Sequence, residues 1–93
     1  MNHNIYASVD EDLKDAIYYY SSMNSEMEQE IEEMKFEDNS EKKQILKDIE
    51  TYDEGINKIE QDLKDFPDDE RVRNAVISHH KGKTALLNII IAQ

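Results

Sequence analysis

The middle third of the chain keeps a seven-residue beat. Ile45, Ile49, Tyr52, Ile56, Ile59, Leu63 and Phe66 follow one another at alternating spacings of four and three. On an α-helix those positions form one stripe, and Lys, Asp, Glu and Gln fill the other faces. Such a stripe is stable only when buried against another helix. The pattern therefore predicts a helix over 40–65. It ends before Pro67, because the residue preceding proline is pushed away from the α region. Ser40 is its expected N-cap, with Lys rather than Glu at the third position, so only half of a capping box is present.

Two further stripes flank it. Leu13, Ile17, Tyr20, Met27, Ile31 and Met34 predict a first helix over about 9–37, with Ser8 as N-cap and Glu11 completing a capping box. Asn24 sits on this stripe and is expected at an exposed edge, the alternative being a polar residue that sets register. Asp38-Asn39-Ser40 supplies turn chemistry. Val72, Val76, His79, Leu86 and Ile90, widened by Ala75 and Ile89, predict a third helix over about 68–92. Its last stretch is apolar on more than one face, which predicts that Leu87 and Ile91 meet another subunit or a further part of a longer chain. Gly55 falls inside the second helix, either as a tolerated weak point or as a place of close approach, and Gly82 is a second internal glycine, in the third.

Short connections make the helices antiparallel neighbours. The expected fold is all-α: one domain over 1–93, a three-helix, coiled-coil-like bundle that self-associates. The opening residues lack an evident cap, and the apolar pattern still runs at Gln93, so the chain reads as a piece of a longer protein.

Composition narrows the function. The net charge is −11. Residues 1–37 carry ten acids and two bases, 38–66 nine acids and five bases, and 67–93 three acids and four bases. The first two segments repel a phosphate backbone, which argues against nucleic acid as a ligand. The acidic run 26–33 reads first as a solvated helix face and second as a surface for a basic partner. The acidic first helix is expected to lie against the basic third. The chain has no cysteine, so disulfides and thiolate metal sites are excluded. No signal peptide and no membrane-spanning stretch is visible.

No reactive constellation emerges. His79 and His80 point about 100° apart on a helix, so they cannot chelate one metal, and Lys83 occupies the position after His79 where a second ligand belongs. His79 is expected as a half-buried packing residue. No Glu-x-x-His pair, phosphate loop or nucleophile can be nominated, so no catalytic residue, metal or cofactor is expected. Tyr18-Tyr19-Tyr20 wraps most of a helix circumference. Tyr18 and Tyr19 form a candidate protein interface, or else cover neighbouring helix ends within the chain.

Two stretches, Tyr6–Tyr20 and Asp68–Ile90, together resemble the C-terminal helical region of membrane-anchored anti-sigma factors of the Bacteroidetes type. Val9-Asp10-Glu11 and Tyr18-Tyr19 stand where that family shows a Val-Ser-Pro-Glu-like opening and a Tyr-Tyr pair. His79–Lys83 stands where it shows Asn-Tyr-Arg-x-Lys. Asp10 and Asp12 replace the usual Ser-Pro, and Gly82 replaces a larger residue. The resemblance implies an extracytoplasmic module that senses, dimerises or docks, with a membrane span upstream. A cytoplasmic acidic adaptor or inhibitor that captures a basic protein is the alternative reading of the residues, and an enzyme is the least supported class.

Overall fold

A computed structural model describes residues 11–93. The expected Ser8 cap and the start at Val9 lie outside the described residues. Three helices follow: α1 (Glu11–Glu33), α2 (Asn39–Asp65) and α3 (Glu70–Ala92). They form an all-α bundle measuring 46 × 24 × 19 Å. α3 packs against both α1 and α2, which approach each other little. The shared clusters set the directions: Leu13 of α1 meets Val76 of α3, and Ile31 of α1 meets Leu87 and Ile90 of α3. Thus α1 and α3 run the same way and α2 runs against both. None of the described helices is long and apolar enough to cross a membrane.

Two apolar clusters hold the ends of the bundle. One joins Leu13, Ile17, Leu63 and Val76, flanked by Ile59, Val72 and Ile77. The other joins Ile31, Ile45, Ile49, Leu87 and Ile90, flanked by Met27, Met34, Phe36, Leu86 and Ile91. Fully burying one such side chain contributes roughly 1.5–3 kcal/mol.

The helix ends correct several expectations. α1 stops at Glu33 rather than near Glu37. Met34 and Phe36 turn inward onto the second cluster, and Asp38 must be extended to cap α2. The cap is Asp38, not Ser40. Its carboxylate accepts from the Ser40 N–H at 2.9 Å and from the Ser40 hydroxyl at 2.7 Å. Those two bonds hold the Asp38 pKa below the usual carboxylate range. α3 begins at Glu70, behind Asp69, which accepts from the Arg71 N–H. Pro67 instead occupies the second place of a turn closed by the Asp69 N–H donating to the Phe66 carbonyl. Phe66 therefore leaves the α2 stripe. It is 60% exposed, because the backbone has already departed from helical geometry there.

The buried stripe of α3 is rotated from the expected one. Its buried residues are Val76, His80, Lys83, Leu87 and Ile90, while Ile89 is exposed and His79 is half-buried. Leu87 has no exposed surface within the single chain. It is a core residue and not the intersubunit contact expected of it. Ile91 is half-buried against the same cluster.

Both glycines mark close approaches of α2 and α3. A Cβ at Gly55 would lie 3.2 Å from Cδ2 of His79, and one at Gly82 would lie 2.9 Å from Cε1 of Tyr52. Each helix thus offers a glycine to an aromatic ring of the other, in antiparallel register.

Leu63→Ala and Leu87→Ala should each destabilise the bundle by about 2–5 kcal/mol, whereas Phe66→Ala should cost less than about 0.5 kcal/mol, read by urea unfolding. In a Tyr52→Ala background, Gly82→Ala should stabilise by about 1 kcal/mol, the full helix-propensity gain. With Tyr52 present the same change should give a smaller gain or a loss. Equal effects in both backgrounds would show that the ring does not depend on the missing Cβ.

Candidate functional site

Between the two apolar clusters, the inward face turns polar. Asn24, His80 and Lys83 are the buried polar residues of the described chain, exposed by 2%, 5% and 7%. They occupy core positions: Asn24 lies seven residues after Ile17 and seven before Ile31, and His80 and Lys83 lie between Val76 and Leu87. The same periodicity that buries isoleucine elsewhere places these polar groups inside.

Lys83 is the hub. Its ammonium lies 2.5 Å from Asp53 Oδ1 on α2 and 3.0 Å from Glu28 Oε1 on α1. Burial opposes its charge, but hydrogen bonds and attraction from Asp53 and Glu28 outweigh that cost and raise its pKa above 10.5. One side chain of the central helix thus ties both outer helices, whose backbones come close to each other in few places.

A neutral network adjoins it. The Asn24 side-chain amide donates to the His80 carbonyl at 3.4 Å. The Thr84 hydroxyl lies 2.6 Å from Asn24 Oδ1 and 3.0 Å from the His80 carbonyl. Its single proton serves one acceptor at a time. Asn24 is therefore not at an exposed edge. Its amide fixes where α1 sits along α3, the register role weighed as the alternative.

The His80 ring stands apart from this satisfaction. Both ring nitrogens are buried without a hydrogen-bond partner. Nε2 is 3.9 Å from Glu60 Oε1, within ion-pair range but beyond a hydrogen bond. Burial, reinforced by the nearby positive charge of Lys83 and by His79, keeps its pKa below 6.5 against the opposing pull of Asp53. His80 is thus neutral at pH 7. His79, the histidine assigned to the stripe, instead bonds the Ala75 carbonyl at 2.8 Å through Nδ1 and packs on Gly55.

Above this floor opens a groove of about 380 Å³, lined from α1 by Asn24 and Glu28, from α2 by Asp53, Ile56 and Glu60, and from α3 by His80 and Lys83. It exists because α1 and α2 both lean on α3 and leave a cleft between them. No group of three or more His, Asp or Glu side chains is placed to hold a metal ion among the described residues.

Tyr18 and Tyr19 lie apart from this groove and do not line it. They are 75% and 60% exposed, so the described helices do not cover them. Tyr19 meets Tyr20 edge-on, with ring centroids 5.2 Å apart. The structure does not bring Tyr18 and Tyr19 together with Leu87 and Ile91, since Leu87 belongs to the core. Sequence reasoning missed Lys83, His80, Asp53, Glu28 and Thr84. A signal was present: Val76, His80, Lys83, Leu87 and Ile90 keep the four-three beat unbroken.

No protein-family model, no curated protein and no solved structure matches the chain.

Breaking the ion cluster from its two sides should have unequal effects. The double variant Glu28→Gln, Asp53→Asn strands a buried ammonium and should cost about 2–4 kcal/mol, whereas Lys83→Met should cost less than about 1 kcal/mol, because the two carboxylates reach water. Equal costs in urea unfolding would contradict the hub geometry. Stability should also fall as pH drops from about 6.5, because the unfolded chain takes up a proton at the histidine that folded His80 resists. In His80→Gln that part of the decline should disappear. At the alkaline end, the Lys83 contribution is present below about 10.5 and is lost as pH rises through its elevated pKa.

Proposed function

We propose that this chain is a non-enzymatic regulatory module that works through protein–protein contact, the extracytoplasmic helical region of a membrane-anchored anti-sigma factor. The observation that carries this reading is the convergence of the two stretches resembling that family. Leu13 and Ile17 from the first pack with Val72, Val76 and Ile77 from the second. The resembling segments are thus one physical unit, as expected if they descend from a common helical pair. The exposed Tyr18–Tyr19 band supplies a wide aromatic surface for a partner. Ile89, which is exposed near the end of α3, offers apolar area for a second copy of the chain.

The proposed mechanism is mechanical. A partner that displaces α1 must part Glu28 from Lys83 and Asn24 from the His80 carbonyl. Packing and unpacking of α1 would then change the geometry presented to a membrane-proximal segment, or access for a protease.

A second reading is supported by the charge distribution. α1 carries eight acids and one base, a net of −7, and α2 eight acids and five bases, a net of −3. A cytoplasmic acidic adaptor that captures a basic protein uses those faces directly.

Topology separates the readings. With an epitope following Gln93 in the native host, protease added to intact spheroplasts should remove the tag. Protection until the cells are lysed would overturn the extracytoplasmic assignment and favour the adaptor.

A further inference from the structure

We propose that His80 is an acid-operated latch on α1: a proton taken up by its ring in mildly acidic solution releases α1 from α3 while α2 stays docked. This goes beyond the interaction-module reading and does not depend on it, because the latch belongs to the three helices in either compartment.

The mid-bundle layer is built for a neutral ring. His80 is 5% exposed, and both of its ring nitrogens are sealed without a hydrogen-bond partner. An imidazolium there would bury a full charge and two unsatisfied donors. The charged groups around it do not compensate. On α3, His79 precedes it and the Lys83 ammonium lies three residues on. From α2, Asp53 already holds Lys83, and Glu60 is 3.9 Å from Nε2 while engaged in a further contact of its own. From α1 comes Glu28, also held by Lys83, beside the uncharged Ser21, Asn24 and Ser25. Burial most of all, then Lys83 and His79, keeps the ring unprotonated against the pull of Asp53. Once the layer opens, water reaches the ring and its ordinary proton affinity returns. Acid therefore favours the open layer.

The same contacts decide which helix leaves. The mid-bundle ties of α1 are Glu28 to Lys83 and Asn24 to the carbonyl of His80, the residue that takes the charge. A cation at His80 attracts Asp53 and Glu60, both on α2, so the new charge holds α2 more firmly than α1. α1 buries three apolar side chains, Leu13, Ile17 and Ile31, where α2 buries Ile45, Ile49, Ile56 and Leu63. α2 and α3 also interlock without α1, through Gly55 on His79 and Gly82 on Tyr52. Acid thus leaves an α2–α3 hairpin with α1 detached, a local opening and not a collapse of the bundle.

The test is amide-nitrogen relaxation dispersion on the isotopically labelled full chain at pH 7.5, 6.5 and 5.5, which detects minor states exchanging on the μs–ms timescale. Exchange broadening should grow across α1 and at Thr84 and Leu87 of α3, while the Tyr52 and Gly55 amides at the α2–α3 contact stay quiet. With an ordinary histidine pKa of about 6.5 in the open state, the open population should rise up to about tenfold between pH 7.5 and 5.5. The His80 ring carbons should titrate over the same range as the α1 broadening, which ties the opening to this ring in the unaltered chain. His79→Gln should keep the response and His80→Gln should lose it, the amide spectrum reporting that each variant is folded. Broadening spread equally over all three helices, broadening centred on α2, or no growth on acidification would overturn the latch. So would a ring titration in a different pH range, or an unchanged response in folded His80→Gln.

Discussion

A single ammonium joins three helices at mid-bundle. The backbones of α1 and α2 come close in few places, whereas each runs alongside α3, so the position of each depends chiefly on what it shares with α3. At the ends, apolar clusters do this by excluding water. In the middle, Lys83 does it by satisfying a carboxylate on each side. An apolar seam tolerates sliding by a helical turn, since isoleucine against isoleucine looks alike at several registers. A lysine that needs two acids, beside an asparagine that needs a particular carbonyl, does not. The polar layer therefore selects one alignment among several that the oily ends would accept, at a cost in desolvation that an apolar residue would not incur.

The existence of three helices was legible from the spacing of isoleucine, leucine and valine, because a helix must hide an apolar stripe regardless of its partner. Their ends were less so. Asp38 and Ser40 are both good caps by residue type, and the decision came from Met34 and Phe36 folding onto the core, a tertiary effect. The rotation of α3 was missed for a related reason. Reading apolar residues alone selects Leu86 and His79, whereas the true face runs through His80 and Lys83. Lysine is normally a surface residue, and its burial here depends on two acids supplied by other helices, which no local pattern in α3 announces. Asn24 was assigned to an edge by the same habit, although its place in the seven-residue beat already put it inside.

The misplaced polar residues of the core share a location. Asn24, His80 and Lys83 all lie at the mid-bundle layer, and that layer floors a groove to which all three helices contribute charged or polar groups. Sequences conflict with local rules where a fold sets specificity or meets a ligand.

The direct test is the NMR signal of the Lys83 ammonium itself. At pH 7 and room temperature its protons should be protected from exchange with water and correlate with Asp53 and Glu28, while the exposed lysines give no comparable signal. On raising the pH, Lys83 should stay charged beyond the 10.5 of an ordinary lysine. An ammonium that exchanges like the others, or that loses its proton below 10.5, would contradict the claim that one buried cation aligns the three helices.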